Sequence, residues 1–203
     1  MRKVIAMFLS VAIMLLLSAC TSKRSAPKML SKEGIAPYEL SKSDIYLLQS
    51  LGLDLNTNII SFKAPQNTKS LKVNVYLLKD NGTWDATGGG QVSLGQEAGL
   101  EGTFAMMLKD NFAINFCINT KGRSLYKTDK LDVDYEVVAS SKVFLSEFQK
   151  IELNKEIPVA IMIYDSGDSM GSYSTEDFFS PSKFADMDLV QAVTLIFTDD
   201  PDS

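Results

Sequence analysis

Gly167-Asp168-Ser169-Met170-Gly171 fits the pattern G-x-S-x-G, the sharp turn that lifts a nucleophilic serine above a sheet, and it follows the apolar run 157–164 as such a turn would. A serine hydroxyl needs a base to take its proton, and this sequence contains no histidine. The residues that come next, Ser172-Tyr173-Ser174-Thr175, are turn formers and not the helix the motif requires, so a Gly-Ser turn at a strand end is expected. Ser124 and Lys127 have the S-x-x-K spacing of lysine-assisted acyl enzymes. That spacing aligns two side chains only on a helix, whereas Gly122-Arg123-Ser124 reads as a loop. Gly88-Gly89-Gly90 is followed by no Lys-Ser/Thr pair, which favours a hairpin end or bulge over a phosphate cradle. Without histidine, Ser-His-Asp, Cys-His and His-zinc sites are closed to this chain. A non-enzyme is expected.

Carboxylates gather in one loop-like stretch. Asp165, Asp168, Glu176 and Asp177 are the candidate ligands for a calcium ion, which takes about six to eight oxygens from loop carboxylates and carbonyls. Asp199, Asp200 and Asp202 add charge farther along. The D-x-D-x-D-G ladder of an EF-hand is missing, so a solvated acidic loop is the plainer reading, and no other cofactor is expected. Two carboxylates can also hydrolyse glycosides, provided a pocket splits their pKa values. Phe178, Phe179 and Phe184 share the same stretch, which Pro181 breaks. Loop aromatics plug the open end of a sandwich or present an apolar contact surface. Trp84 permits the same two readings, with cross-strand packing favoured. The loop from Asp165 to Phe184 is therefore where recognition is expected, with those three phenylalanines as binding candidates.

The elements that must position these residues are mostly strands. Leu71, Val73, Val75 and Leu77 alternate with polar neighbours before Asp80-Asn81-Gly82, a hairpin signal. Leu131, Val133, Tyr135 and Val137 alternate with Asp132, Asp134 and Glu136 and read as a strand with one wet face. The runs 112–118, 157–164 and 189–197 are apolar on both faces and read as interior strands, with Cys117 as a buried, inert thiol. Between Val143 and Leu153 the apolar parity changes, which predicts a bulge near Gln149-Lys150. About eight strands without intervening helices predict a mainly β chain: an antiparallel β-sandwich or open barrel. One short N-terminal amphipathic helix is added by Ser41 as cap, Asp44 three residues on, Ile45, Leu48 and Leu51 on one face, and Gly52 at the end.

The first twenty residues belong to targeting. Arg2 and Lys3 precede an apolar stretch from Val4 to Leu17, within the signal-peptide range of about 7–15 residues, and polar Thr21-Ser22-Lys23-Arg24 follows at once. A permanent span needs roughly 20 apolar residues, so it is the weaker reading. Leu17-Ser18-Ala19-Cys20 resembles the lipobox of bacterial lipoproteins. That resemblance implies that residues 1–19 are a signal peptide and that Cys20 receives the lipid and begins the mature chain. It further implies a bacterial membrane, inner or outer, with the protein held on its extracytoplasmic face by acyl chains. With Arg2 and Lys3 removed, 18 basic residues face 25 acidic ones, a mature net charge of −7. Nucleic acid and electrostatic docking on anionic lipid are both disfavoured by that balance. Residues 20–37, rich in Ser, Lys, Pro and Gly, read as a flexible tether, and 38–203 as a single domain. Together these readings describe a lipid-anchored, non-catalytic binding or envelope-associated module whose partner is an envelope protein or glycan. The alternative is a carboxylate hydrolase acting on an envelope polymer.

Overall fold

A computed structural model describes residues 30–94 and 101–200. Cys20, the signal segment and Asp202 lie outside the described residues. In chain order the elements are β1 (Gly34–Pro37), α1 (Lys42–Ser50), β2 (Thr57–Lys63), β3 (Ser70–Leu78), β4 (Trp84–Ser93), β5 (Glu101–Leu108), β6 (Ile114–Asn119), β7 (Arg123–Lys127), β8 (Ala139–Phe144), β9 (Glu156–Asp165) and β10 (Leu189–Thr198). They form two five-stranded sheets, ordered β1-β2-β5-β6-β7 and β4-β3-β10-β9-β8, and every pairing is antiparallel. The sheets face each other without closing into a barrel, so the fold is an antiparallel β-sandwich with one short N-terminal helix.

Strand alternation builds the layer between the sheets. Ile60, Phe62, Phe104, Met106 and Ile118 point inward from the first sheet, against Leu71, Val73, Val75, Leu195 and Phe197 of the second. The Phe62 and Phe197 rings meet edge to face at 5.4 Å across that layer. β9 and β10, central in the second sheet, are buried along almost their whole length, as their uninterrupted apolar runs require. The hairpin before Trp84 forms as expected: Gly82 takes φ +77° and the Asn81 side chain accepts from the Thr83 N–H at 3.0 Å.

Several expectations change. Gly34–Pro37, inside the expected tether, is strand β1, because Ile35 is fully buried and Ala36 and Pro37 pair with Ser61 and Ile60. Residues 131–137 are not a strand. Leu131, Val133, Tyr135 and Val137 do lie against the core, but the segment is an extended crossover outside either sheet. Ser124 sits on β7 and not in a loop; in a strand, Ser124 and Lys127 face opposite sides. Past β8 the chain leaves the ladder, and Gln149 makes an isolated two-way bridge with Ile35, tying edge strand β1 to the connection between β8 and β9. The three glycines lie within β4, where the pairing register shifts opposite Val75/Tyr76, and a Cβ at Gly89 would fall 2.3 Å from the Val73 carbonyl oxygen.

Candidate functional site

A sandwich of two sheets has two outer faces, and here they are finished differently. On the second sheet the chain covers the face itself. After β9, residues 166–188 fold back over it through two 3₁₀ turns, Thr175–Phe179 and Pro181–Phe184. Phe178 and Phe184 lodge against Ile161, Ile163, Val190 and Ala192, with 6% and 1% of their surface exposed. Trp84 stacks on Phe178 at 5.1 Å, and its indole N–H donates to the Phe178 carbonyl at 2.9 Å. Asp177 pins the first turn: it accepts from the Ser174 N–H at 2.8 Å and from the Lys183 ammonium. The Lys183 hydrogen bond, aided by Ser174, holds the Asp177 carboxyl below its usual range against the opposing effect of burial.

Of the three phenylalanine candidates, two are therefore plugs, and Phe179 alone stands in water at 59% exposure. The four carboxylates proposed for calcium do not converge. Asp165 accepts from the Gly167 N–H at 3.0 Å, Asp168 from the Ser169 hydroxyl at 3.3 Å, and Glu176 from the Gln149 amide at 3.0 Å, while Asp177 holds Lys183. Among the described residues no three Cys, Asp or Glu side chains stand close enough to hold a metal ion. Ser169 lies in irregular chain just past the bend at 166–168, with no α-helix after it, and its hydroxyl is directed at Asp168.

Among the described residues, no layer of chain seals the outer face of the first sheet. Ile59 pairs with Ala105, Ala105 with Cys117, and Cys117 with Leu125, which lays one apolar row across four strands. Helix α1, on the connection from β1 to β2, crosses this row. Its start is fixed by a capping box: Asp44 N–H donates to Ser41 Oγ at 3.2 Å, and Ser41 N–H donates to Asp44 Oδ2 at 2.9 Å. The Ser41 hydroxyl, which donates to Asp44 Oδ2 at 2.7 Å, and the Ser41 N–H together lower the Asp44 pKa. None of the helix residues is buried, so the expected apolar face of Ile45, Leu48 and Leu51 meets no core.

Two grooves result, one on each side of α1. The larger, of about 590 Å³, is walled by Leu48, Leu53, Ala105, Met107, Cys117 and Leu125; the smaller, of about 330 Å³, by Tyr38, Leu40, Leu47, Leu48 and Ile59. Both fall within the usual ligand-pocket range of about 300–1,000 Å³. Cys117 is thus half-buried in a groove wall, not sealed in the core as its sequence context suggested. Among the described residues, six of the eight exposed large hydrophobic side chains lie on this side: Ile45, Tyr46, Leu47, Leu51, Leu55 and Leu125. Tyr46 and Leu55 are 73% and 78% exposed. Polar residues bound the patch: Asp44, Asn115, Asn119 and Lys127.

Sequence reasoning missed this face. The available signal was in residues 104–108, where Phe104, Met106 and Leu108 on one parity and Ala105 and Met107 on the other are all apolar. Comparison with protein-family models, curated proteins and solved structures finds no match to this chain.

Proposed function

We infer that the protein is a lipid-anchored module on the extracytoplasmic side of a bacterial membrane, working by contact and not by catalysis, with the α1 side of the sandwich as its contact surface. The observation that carries the contact reading is the open apolar face: one sheet is capped by its own chain, while the other leaves six large hydrophobic side chains in water. Contiguous exposed apolar surface rimmed by polar residues marks an interaction site in a soluble domain. The anchoring reading rests on Arg2 and Lys3, the apolar run and Leu17-Ser18-Ala19-Cys20. No helix among the described residues is long and apolar enough to cross a membrane.

Non-catalytic action is favoured by the missing histidine and, at four carboxylates, by the direction in which their titration is shifted. Asp44, Glu152, Asp177 and Asp188 are all held below the usual range by hydrogen bonds, the opposite of the raised pKa a general acid requires. Metabolic fatty-acid labelling with membrane fractionation tests the anchor. Label and membrane residence that vanish together in Cys20→Ser are expected; label retained by Cys20→Ser contradicts it.

A further inference from the structure

We propose that the open face of the first sheet, with α1 at its centre, lies on the lipid bilayer itself. The proposal rests on the lipid-anchor reading and names the partner of the contact surface. Its first support is the length of chain between Cys20 and the domain. Ten peptide links, through residues 21–29, join Cys20 to Leu30, where the described chain begins. Fully extended they reach about 33–36 Å, and as a flexible coil about 16–19 Å root-mean-square. A domain of this size has a radius of gyration near 15 Å. An anchor of that length holds the body within about 35 Å of the membrane, and the question is which side turns down.

The fold answers that question. The chain coming from Cys20 enters at β1, an outer strand of the first sheet, and leads directly into α1 on that sheet's outer face. Tyr46, Leu47, Leu51 and Leu55 project from α1 and the turn after it, and Leu125 projects from the far strand of the same face. Leucine side chains with a tyrosine beside them suit the interfacial zone, where an apolar body sits in the acyl boundary and a phenol stays at headgroup level. Charge does not drive the contact. The mature chain is acidic, and the helix carries Lys42 and Asp44 in its first turn with no basic residue in its last. The pose therefore needs no anionic lipid. It also turns the opposite face, with Phe179 and the loop from Asp165, away from the bilayer into the compartment.

Depth quenching tests this on the full processed chain, reconstituted through its own anchor into phosphatidylcholine vesicles. In a Cys117→Ala background, Leu47→Cys, Leu55→Cys and Phe179→Cys each carry a bimane fluorophore. The expected result is quenching by nitroxide-labelled lipid at 47 and 55 at least threefold stronger than at 179, with the reverse order for aqueous iodide. Equal iodide quenching at all three positions, in chains that carry the fatty-acid label and float with the vesicles, overturns the docking and leaves the face for a protein partner. Chains that neither carry label nor float fail the anchor reading first, and the docking with it.

Discussion

The two outer faces of this sandwich begin from similar material and end differently. Both sheets present apolar side chains outward: Ile161, Ile163, Val190 and Ala192 on the second, Ile59, Ala105, Cys117 and Leu125 on the first. The second is sealed by an excursion whose Phe178 and Phe184 face down and whose first turn is held by Asp177 bonded to Ser174 and Lys183. The first is crossed by a nine-residue helix that buries none of its residues. A chain able to cover one face with its own aromatic residues has the means to cover the other. The difference puts buried, stabilising packing on the second face and leaves the first as the surface proposed for contact.

The largest effect that would break this comparison is on the covered face. Phe184→Ala removes a side chain that is 1% exposed and should cost about 3–5 kcal/mol, read as a lowered denaturant midpoint. Trp84→Phe keeps the ring contact but deletes the N–H that serves the Phe178 carbonyl, and is expected to cost about 1–2 kcal/mol. Asp177 sharpens the comparison through pH. Its folded pKa lies below the unfolded value near 3.8, so its contribution is complete above that value and is lost as pH falls through the folded pKa. Asp177→Asn should lower stability at neutral pH by about 1 kcal/mol and flatten the acid limb of the unfolding profile; an unchanged acid limb would show that the turn does not depend on the Lys183 pair. The smallest effect belongs to the open face: Leu47→Ser with Leu51→Ser should move stability by no more than about 0.5 kcal/mol, because neither side chain is packed. A larger loss would mean that α1 is part of the core.

Much of the fold was legible because period-two alternation and turn chemistry are local. Leu71 to Leu77, the Asn81-Gly82 hairpin and the Ser41–Asp44 cap each carry their signal within a dozen residues. Residues 131–137 misled because alternation reports which side chains face the core, not whether the backbone has a strand beside it. The acidic loop misled in another way: residue types supplied ligands, but each carboxylate is committed to a nearby amide, hydroxyl or ammonium that sequence order does not reveal. The open groove was hardest to read, since it depends on Ile59, Ala105, Cys117 and Leu125 arriving side by side from four separate strands. Cys117 could be assigned to a strand from sequence; which face it occupied could not.

Tyrosine ionisation offers a check on both buried layers, with Tyr164 between the sheets and Tyr76 under the covered face. Burial pushes the Tyr164 phenol up to about 12, and burial together with the Glu156 carboxylate does the same for Tyr76. The folded chain keeps both protonated where the unfolded chain, near 10, would not, so stability is expected to fall as pH rises from about 10 towards 12. Phenolate absorbance should show these two groups titrating last, and Tyr76→Phe should remove one of them.

Hydrogen exchange of the full acylated chain, compared between detergent and phosphatidylcholine vesicles, tests the central assignment most directly. Transfer to vesicles is expected to slow exchange in residues 42–56 and to leave residues 173–187 unchanged, because only the open face gains a cover. Slower exchange at 173–187 with none at 42–56 would contradict the account.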